Sequence, residues 1–551
     1  TGMSLHWFLL STTVICTSAI GTQRPTIYTP AGKLRGITKH AFNRPVDIYL
    51  GIPYAKPPVG DLRFHKPVPA ERWPGIRNAT TLPFPCKQQD FYVHQNYTIP
   101  TKNSTEDCLY LNIWTPARYC FDISTCGPKA VMVFIYGGSF TFGSSSWDFY
   151  DGTFMAAAGD VVVVSFNYRV GVFGFFDTEV HGAEGNQGLL DQVLALQWVQ
   201  KNIIYFGGDP NIVTIFGQSA GAISIGYHLV SPLTKGLFRR AIMQSGSPLW
   251  TLDSDKETAF KKSYSVATLL GCTNSSDPWI RDPQVLRCLR EKSADDLLET
   301  AAVGRDSPAD AFYPTYGDDF MPRRVKDVID DGEYHSVELL IGTNKNEGTF
   351  FVYNFLGRGL QYYNVDHITK DELGFYMVFF FRSVIDTGAN EVREHYLGGT
   401  ETEETKKLLQ QGSDSVGDFL ITCPTRYFAE RYKSKAGRTY YYQFSHMPSF
   451  SFWPKWMGVV HFDEFPFVYA HVMARPDLAT AQEINLSRQL VHIWTTFAKM
   501  GRAPNFGKVA WPQFSKKAPY MVDIKLERFA IKKGPQEEGC HFWRQYFDAQ
   551  P

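Results

Sequence analysis

The stretch Ile212-Val213-Thr214-Ile215-Phe216-Gly217-Gln218-Ser219-Ala220-Gly221-Ala222 decides the fold. Its first five residues are β-branched or aromatic and read as a short buried strand. Gly-x-Ser-x-Gly follows at once, and Ala222-Ile223-Ser224-Ile225-Gly226-Tyr227-His228-Leu229-Val230 then reads as a helix. A serine on so sharp a strand-to-helix turn is held in a strained backbone, with its hydroxyl clear of the sheet. Flanking glycines allow neighbouring elements closer than a Cβ would. The motif alone also fits an ordinary turn; the strand before it and the helix after it favour a nucleophile elbow. A nucleophile then needs a base, an orienting acid and an oxyanion hole.

Working outward, Lys129 to Tyr136 is a nearly continuous apolar run ending in Gly137-Gly138-Ser139-Phe140, and Val161 to Phe166 is a second. Such runs suit strands buried on both faces. Leu190, Val193, Leu194 and Trp198 recur at helical spacing. Arg240 to Gly246, Val337 to Asn344 and Arg438 to Phe444 read as further strands. Buried strands alternating with helices predict an α/β fold with a mainly parallel, twisted sheet covered by helices on both faces. Residues 22 to 128 are proline-rich and predict short strands joined by fixed turns. Residues 250 to 335 and 353 to 435 are more polar and helical in pattern, and read as insertions over one sheet. The expected organisation is a signal peptide at 3–21 and one domain at 22–551.

Bulk properties narrow the function classes. The 551 residues are 44% hydrophobic and 15% aromatic, enough for a large core. Lys and Arg total 55 and Asp and Glu total 55. No overall field therefore draws the chain to nucleic acid or an anionic membrane, and a small molecule is the expected partner. Thr1 and Gly2, ahead of Met3, read as translated leader. Met3 to Thr17, followed by Ser18-Ala19-Ile20-Gly21, is similar to a signal peptide, although its start lacks Lys and Arg. No later run is long and apolar enough to span a bilayer, and the segment from His541 to Pro551 lacks an anchor-signal tail. A secreted, extracellular protein is expected; a homo-oligomer is left open.

Cysteines agree with that compartment. Of nine, Cys16 would leave with the signal segment. The even remainder is Cys86, Cys108, Cys120, Cys126, Cys272, Cys288, Cys423 and Cys540, whose pairing the spacing alone does not fix. No Cys-x-x-Cys pair or histidine-rich cluster suggests a metal. Sequons at Asn78, Asn96, Asn103, Asn274 and Asn485 suit a secreted surface.

The chemistry follows from the elbow. Gly137-Gly138-Ser139, directly after a buried strand, offers consecutive backbone N–H groups that, with the N–H of Ala220, can form a three-donor oxyanion hole. Hydrolases with such an elbow run serine, acid, histidine along the chain. His461 is the candidate base because it sits in an aromatic, proline-pinned segment from Phe452 to Phe467, with His446 as the competitor. Glu347, on the turn after the strand ending at Asn344, is the candidate acid, with Asp318 and Asp319 as rivals.

The chain resembles the type-B carboxylesterase and cholinesterase family over residues 25 to 550. The resemblance is carried by Tyr49 to Ala55, Glu106 to Trp114, the Gly137 loop, Asn167 to Gly171, Phe206 to Pro210, the elbow, Asn344 to Gly348 and the segment around His461. It is most similar to the cholinesterase branch around Trp453 to Tyr469 and Phe497 to Lys499. The resemblance implies an α/β-hydrolase fold, no cofactor, and a triad of Ser219 as nucleophile, Glu347 as orienting acid and His461 as base. Gly138, Ser139 and Ala220 would supply the oxyanion N–H groups. It also implies disulfides Cys86–Cys108, Cys272–Cys288 and Cys423–Cys540, leaving Cys120 and Cys126 as an extra pair.

Departures from that pattern bear on substrate. Cholinesterases hold a quaternary ammonium on an aromatic anchor by cation–π attraction. Here the matching position is near Thr98, with Tyr97 beside it and no tryptophan. Gln218 replaces the acid usual before the nucleophile, Ser139 replaces a third glycine, and Phe462 replaces the glycine after the histidine. Acyl-pocket aromatics are not evident in Ser307 to Phe312, and a rim tryptophan after Cys288 is missing. Phe350 and Phe351 remain to line the gorge. The expectation is a secreted serine esterase of broad carboxylic-ester range, forming an acyl-enzyme. The rivals are a true acetylcholinesterase using Tyr97, Phe350 and Phe351, and a non-catalytic, cholinesterase-like adhesion protein, which retention of all three triad residues disfavours.

Overall fold

The apolar runs form the middle of an 11-stranded sheet in a computed structural model. It describes residues 24–94, 97–99, 101, 103–116, 127–249, 255–273, 282–303, 311–356, 367–385, 387–400, 404–434, 437–506 and 509–549. The expected signal segment, Asn96, Asn274, Cys120 and Cys126 lie outside the described residues. In chain order the sheet holds β1 (Ile37–Ala41), β2 (Arg44–Pro53), β3 (Tyr110–Thr115), β4 (Lys129–Ile135), β5 (Val162–Phe166) and β6 (Gly208–Gln218). It continues with β7 (Arg240–Gln244), β8 (Glu338–Asn344), β9 (Thr439–Phe444), β10 (Tyr520–Ile524) and β11 (Phe529–Lys533). Their spatial order is β11-β10-β9-β8-β7-β6-β4-β5-β3-β2-β1.

Every pair from β5 to β10 is parallel, and antiparallel pairs close both edges. All residues of β4, β5, β7 and β9 are buried, as suits their largely apolar make-up. The edge strand β11 ends in exposed Ile531, Lys532 and Lys533, and charge on an edge discourages further pairing. The elbow strand is longer than its five apolar residues predict. Gly208 to Asn211 continue it backward through a register shift, where polar residues meet solvent instead of the core.

Strand order places the site. The chain leaves β4 for β5 on one side, then crosses to β6 on the other, so β4 is the switch point. Crevices beyond the carboxyl ends of strands at a switch point hold ligands in open α/β sheets. Here those ends deliver Gly137 to Ser139 and Ser219. Gly217 sits opposite both Ile135 and Met243. The helix Ala220–Val230 is buried along its whole length, and its Gly221 rides on β4: a Cβ there would lie 2.0 Å from the Ile135 carbonyl oxygen. No side chain fits that approach.

Helices Gln187–Asn202, Ala220–Val230 and Ala481–Met500 pack against the sheet. A second buried cluster joins Lys370–Arg382, Thr405–Gly417 and Cys423–Arg431 to Glu537–Ala549. Disulfides link Cys86 to Cys108, Cys272 to Cys288 and Cys423 to Cys540. The last closes a separation of 117 residues and ties the C-terminal helix to this cluster. Asn78, Asn103 and Asn485 are exposed.

Glu483 caps the helix Ala481–Met500 and anchors the chain that leaves β9. Its carboxylate accepts from Thr480 N and Oγ1, from Ser449 N and Oγ, and bonds His446 Nε2 at 2.9 Å. Burial alone would raise its pKa; the hydrogen bonds outweigh that and hold it at about 2, against an ordinary 4.5. A depressed folded-state pKa stabilises fully above the ordinary value and progressively less as pH falls toward 2. Melting temperature should therefore fall across that window. Glu483→Gln should lose about 1–3 kcal/mol at pH 7 and show a flatter pH dependence in thermal melts.

Candidate active site

Ser219 occupies the turn between β6 and the helix Ala220–Val230, with φ 58° and ψ −127°. That backbone is strained for any residue but glycine, and such strain gathers at functional sites. Its N–H donates to the Gln244 carbonyl at 2.8 Å, which fixes the turn on β7. The Gly137 loop lies directly against it: a Cβ on Gly137 would stand 2.9 Å from the Ser219 Cβ. Ser139 and Phe140 have φ values of 52° and 58°, so the loop curls back at once, and Gly138 O accepts from Thr141 N and Phe142 N. The N–H groups of Gly138, Ser139 and Ala220 take no part in the turn and loop hydrogen bonds among the described residues. They remain available as donors.

Glu347 begins the short helix Glu347–Phe351 immediately beyond β8 and is 2% exposed. Its Oε1 accepts from Asn344 N at 2.6 Å, and its Oε2 accepts from His461 Nδ1 at 2.5 Å. With Nδ1 turned to the carboxylate, Nε2 is the ring nitrogen left to face the other way. That Nε2 lies 3.0 Å from Gln218 Nε2. Ser219 Oγ makes no hydrogen bond among the described residues, although it lines the same cavity as the imidazole. Burying a carboxylate costs free energy unless its oxygens are satisfied, and this one has both satisfied.

The loop carrying His461 is stitched to the end of β8 residue by residue. Asn346 N donates to Val459 O at 3.0 Å, and Val459 N donates to Asn346 Oδ1 at 3.1 Å. Asn344 Nδ2 donates to both Val460 O and Glu464 Oε2 at 2.7 Å. Gln244 Nε2 donates to Glu464 Oε1, and Trp494 Nε1 to Gln244 Oε1. Burial pushes the Glu464 carboxyl up, the nearby Glu347 charge adds to this, and the amide donors partly offset both. Asp463 is pushed well up by burial while accepting from Val460 N.

These groups open onto a cavity of about 470 Å³. Gly138, Ser139, Gln218, Phe350 and Phe351 all line it, and Ala220 is buried beside Ser219. Phe350 and Phe351 sit tilted against His461, with ring centroids 5.7 and 5.2 Å from the imidazole. Tyr97 lies on the strand Tyr97–Ile99, with its side chain outside the described residues. Of the stretch Ser307 to Phe312, residues 307–310 are also outside them, while Ala311 and Phe312 are buried. Phe462, at φ 85°, is a bulky residue in the left-handed region; its ring lies 5.5 Å from Phe149 and 4.7 Å from Phe465.

The rival residues are engaged elsewhere. Asp318 accepts from Asn186 and Met321, Asp319 pairs with Lys66, and His446 is bonded to Glu483. Sequence reasoning did not find Trp147, Phe149, Tyr150 and Phe154 on the cavity wall, nor Asn344 and Glu464 beneath it. The aromatic cluster shortly after the Gly137 loop was a usable signal for the first group. The second group depends on contacts 116 and 120 residues apart, which no local pattern carries.

Fold and site together define an α/β-hydrolase. Residues 23–543 match the Carboxylesterase family, and the chain belongs to it. It is 37% identical over 534 residues to Acetylcholinesterase-1 of Trittame loki, covering 95% of each chain. It is 36% identical over 538 residues to Cholinesterase of Mus musculus, covering 95% of this chain and 86% of that one. It is 34% identical over 554 residues to Acetylcholinesterase of Leptinotarsa decemlineata, covering 94% and 85%. The protein is a carboxylic ester hydrolase.

Asn344 holds both the carboxylate turn and the histidine loop. Asn344→Leu should cost about 2–4 kcal/mol of stability by removing the amide donor from Glu464 Oε2 and from the Val460 carbonyl. It should lower kcat more than it raises KM, measured by thermal melts and ester kinetics; unchanged kcat in a folded variant would show that the loop holds itself.

Proposed function

We propose that Ser219, His461 and Glu347 form the catalytic triad of a secreted serine esterase acting on uncharged carboxylic esters. One observation carries this reading: a buried carboxylate fixes His461 Nδ1 at 2.5 Å, and the ring's other face shares a cavity with Ser219 and the Gly137 loop. In this mechanism His461 Nε2 takes the Ser219 proton as Oγ attacks the ester carbonyl. The developing oxyanion is received by the N–H groups of Gly138, Ser139 and Ala220, and the imidazolium returns its proton to the leaving alcohol oxygen. Water then repeats the sequence on the acyl-enzyme. Glu347 holds the ring in the correct tautomer and stabilises its charged form.

The alcohol side is argued from chemistry. His461 must reach the leaving oxygen, so the alcohol lies toward the residues beside His461. Gln218 carries no charge there, and the lining is dominated by Phe149, Tyr150, Phe350 and Phe462. An uncharged alcohol suits those walls. A second reading, choline-ester hydrolysis, is favoured by the names of the relatives and by Asp148 and Asp151 among the same aromatic walls. Secretion is supported by three disulfides and by the exposed sequons Asn78, Asn103 and Asn485. No helix among the described residues is long and apolar enough to cross a membrane.

Ser219→Ala should cut kcat/KM for p-nitrophenyl acetate by about 10⁴-fold or more, and Glu347→Gln by about 10³–10⁴-fold with little change in KM. Comparing acetylthiocholine with its uncharged dimethylbutyl isostere separates the two substrate readings. Near-equal kcat/KM, or preference for the neutral ester, is expected. A preference above about 30-fold for the cation, the size a desolvated cation–π contact of about 2 kcal/mol gives, would establish the choline reading instead.

A further inference from the structure

We propose that Gln218 is a positioning residue: its side-chain amide donates to His461 Nε2 in the resting enzyme, holding the base as a neutral ring turned to Gln218 and away from Ser219. The inference rests on the triad reading above. Its ground is the hydrogen-bond chain Glu347 Oε2, His461 Nδ1, His461 Nε2, Gln218 Nε2, with separations of 2.5 and 3.0 Å at its two ends. A carboxylate at one end can only accept, so Nδ1 carries the proton. The Nε2 lone pair of the neutral ring then needs a donor, and an amide –NH₂ is one. The amide's other end is also placed, since its Oε1 lies against the Gly137 backbone. An ionised carboxylate at 218 could not make this bond: it would demand a proton on Nε2 and so favour the imidazolium.

The remaining charged groups around the ring leave this role to Gln218. On the histidine's own turn, Glu464 is bonded to Gln244 and Asn344, and Asp463 to Val460 N. From the helix Glu347–Phe351, Glu347 takes Nδ1 while Phe350 and Phe351 present rings. Across the cavity stand Asp148, Asp151, His471 and Arg475; Asp151 is bonded to Thr153, His471 to the Phe149 carbonyl and Arg475 to Asp477. Thus the residue beside the nucleophile competes with the nucleophile for the base. Attack requires His461 to exchange the Gln218 amide for the Ser219 hydroxyl, and that exchange slows acylation while suppressing the imidazolium at lower pH.

The test is the pH dependence of kcat/KM for a neutral ester, p-nitrophenyl acetate, in the wild type, Gln218→Met and Gln218→Glu, with thermal melts to verify folding. Methionine keeps the volume and removes the donor. Its acidic limb should move to higher pH, and its plateau kcat/KM should rise by about 2- to 10-fold, the worth of one hydrogen bond. Glutamate should move the limb further in the same direction, because a nearby carboxylate favours the charged ring. A purely structural role would change melting and amplitude without moving the limb. An unmoved limb in folded Gln218→Met, a limb moved to lower pH, or a lowered plateau would each overturn the proposal. A wild type that hydrolyses no ester would instead sink the triad reading on which it stands.

Discussion

A carboxylate sealed in an apolar interior must have both oxygens hydrogen-bonded, and the active-site end of this molecule is arranged to meet that demand at Glu347. One oxygen is taken by the backbone of Asn344 and the other by the imidazole of His461. Because the first bond closes within the turn, Glu347 cannot shift without breaking the end of β8. Because the second spans 114 residues, the loop from Met457 to Glu464 must be delivered to it and held. The amides of Asn344, Asn346 and Gln244 do the holding, reaching back from strand ends already fixed by parallel pairing. The His461 ring is therefore held by the sheet, not by the loop that bears it.

The same sheet places Ser219, by another route. Parallel strands end together at one side, and the reversal of strand order at β4 opens a crevice between two of those ends. Into it come the Gly137 loop and the Ser219 turn, pressed so closely that neither Gly137 nor Gly221 can carry a side chain. Strain at Ser219, Ser139 and Phe462 is tolerated because fully buried strands and a fully buried helix surround it. The strand and the helix on either side of this crevice, Lys129–Ile135 and Ala220–Val230, are buried throughout.

Much of this was legible from the residues. Uninterrupted apolar runs announced the inner strands, and Gly-x-Ser-x-Gly between a strand and a helix announced the turn. The acid was less legible: Asp318 and Asp319 were as plausible by position, and resemblance to a family singled out Glu347. What escaped reading depended on register across the sheet. The backward extension of β6 runs through polar, partly exposed residues, and the edge strand β11 is exposed over its last three, so both carry weak local patterns. Asn344 and Glu464 look like ordinary polar residues until they are seen beneath the histidine. Gln218 read as the loss of a charge near the substrate; it lines the cavity and also contacts the His461 ring, which no local pattern carries.

The account turns on whether Ser219 is the activated nucleophile. The most direct measurement is labelling of the folded, native-sequence protein with a fluorophosphonate, followed by digestion and mass spectrometry. The account predicts one phosphonyl adduct per chain, on the peptide containing Gly217 to Gly221, with the mass on Ser219. An adduct at another residue, or a folded protein that hydrolyses esters yet leaves Ser219 unlabelled, would contradict it.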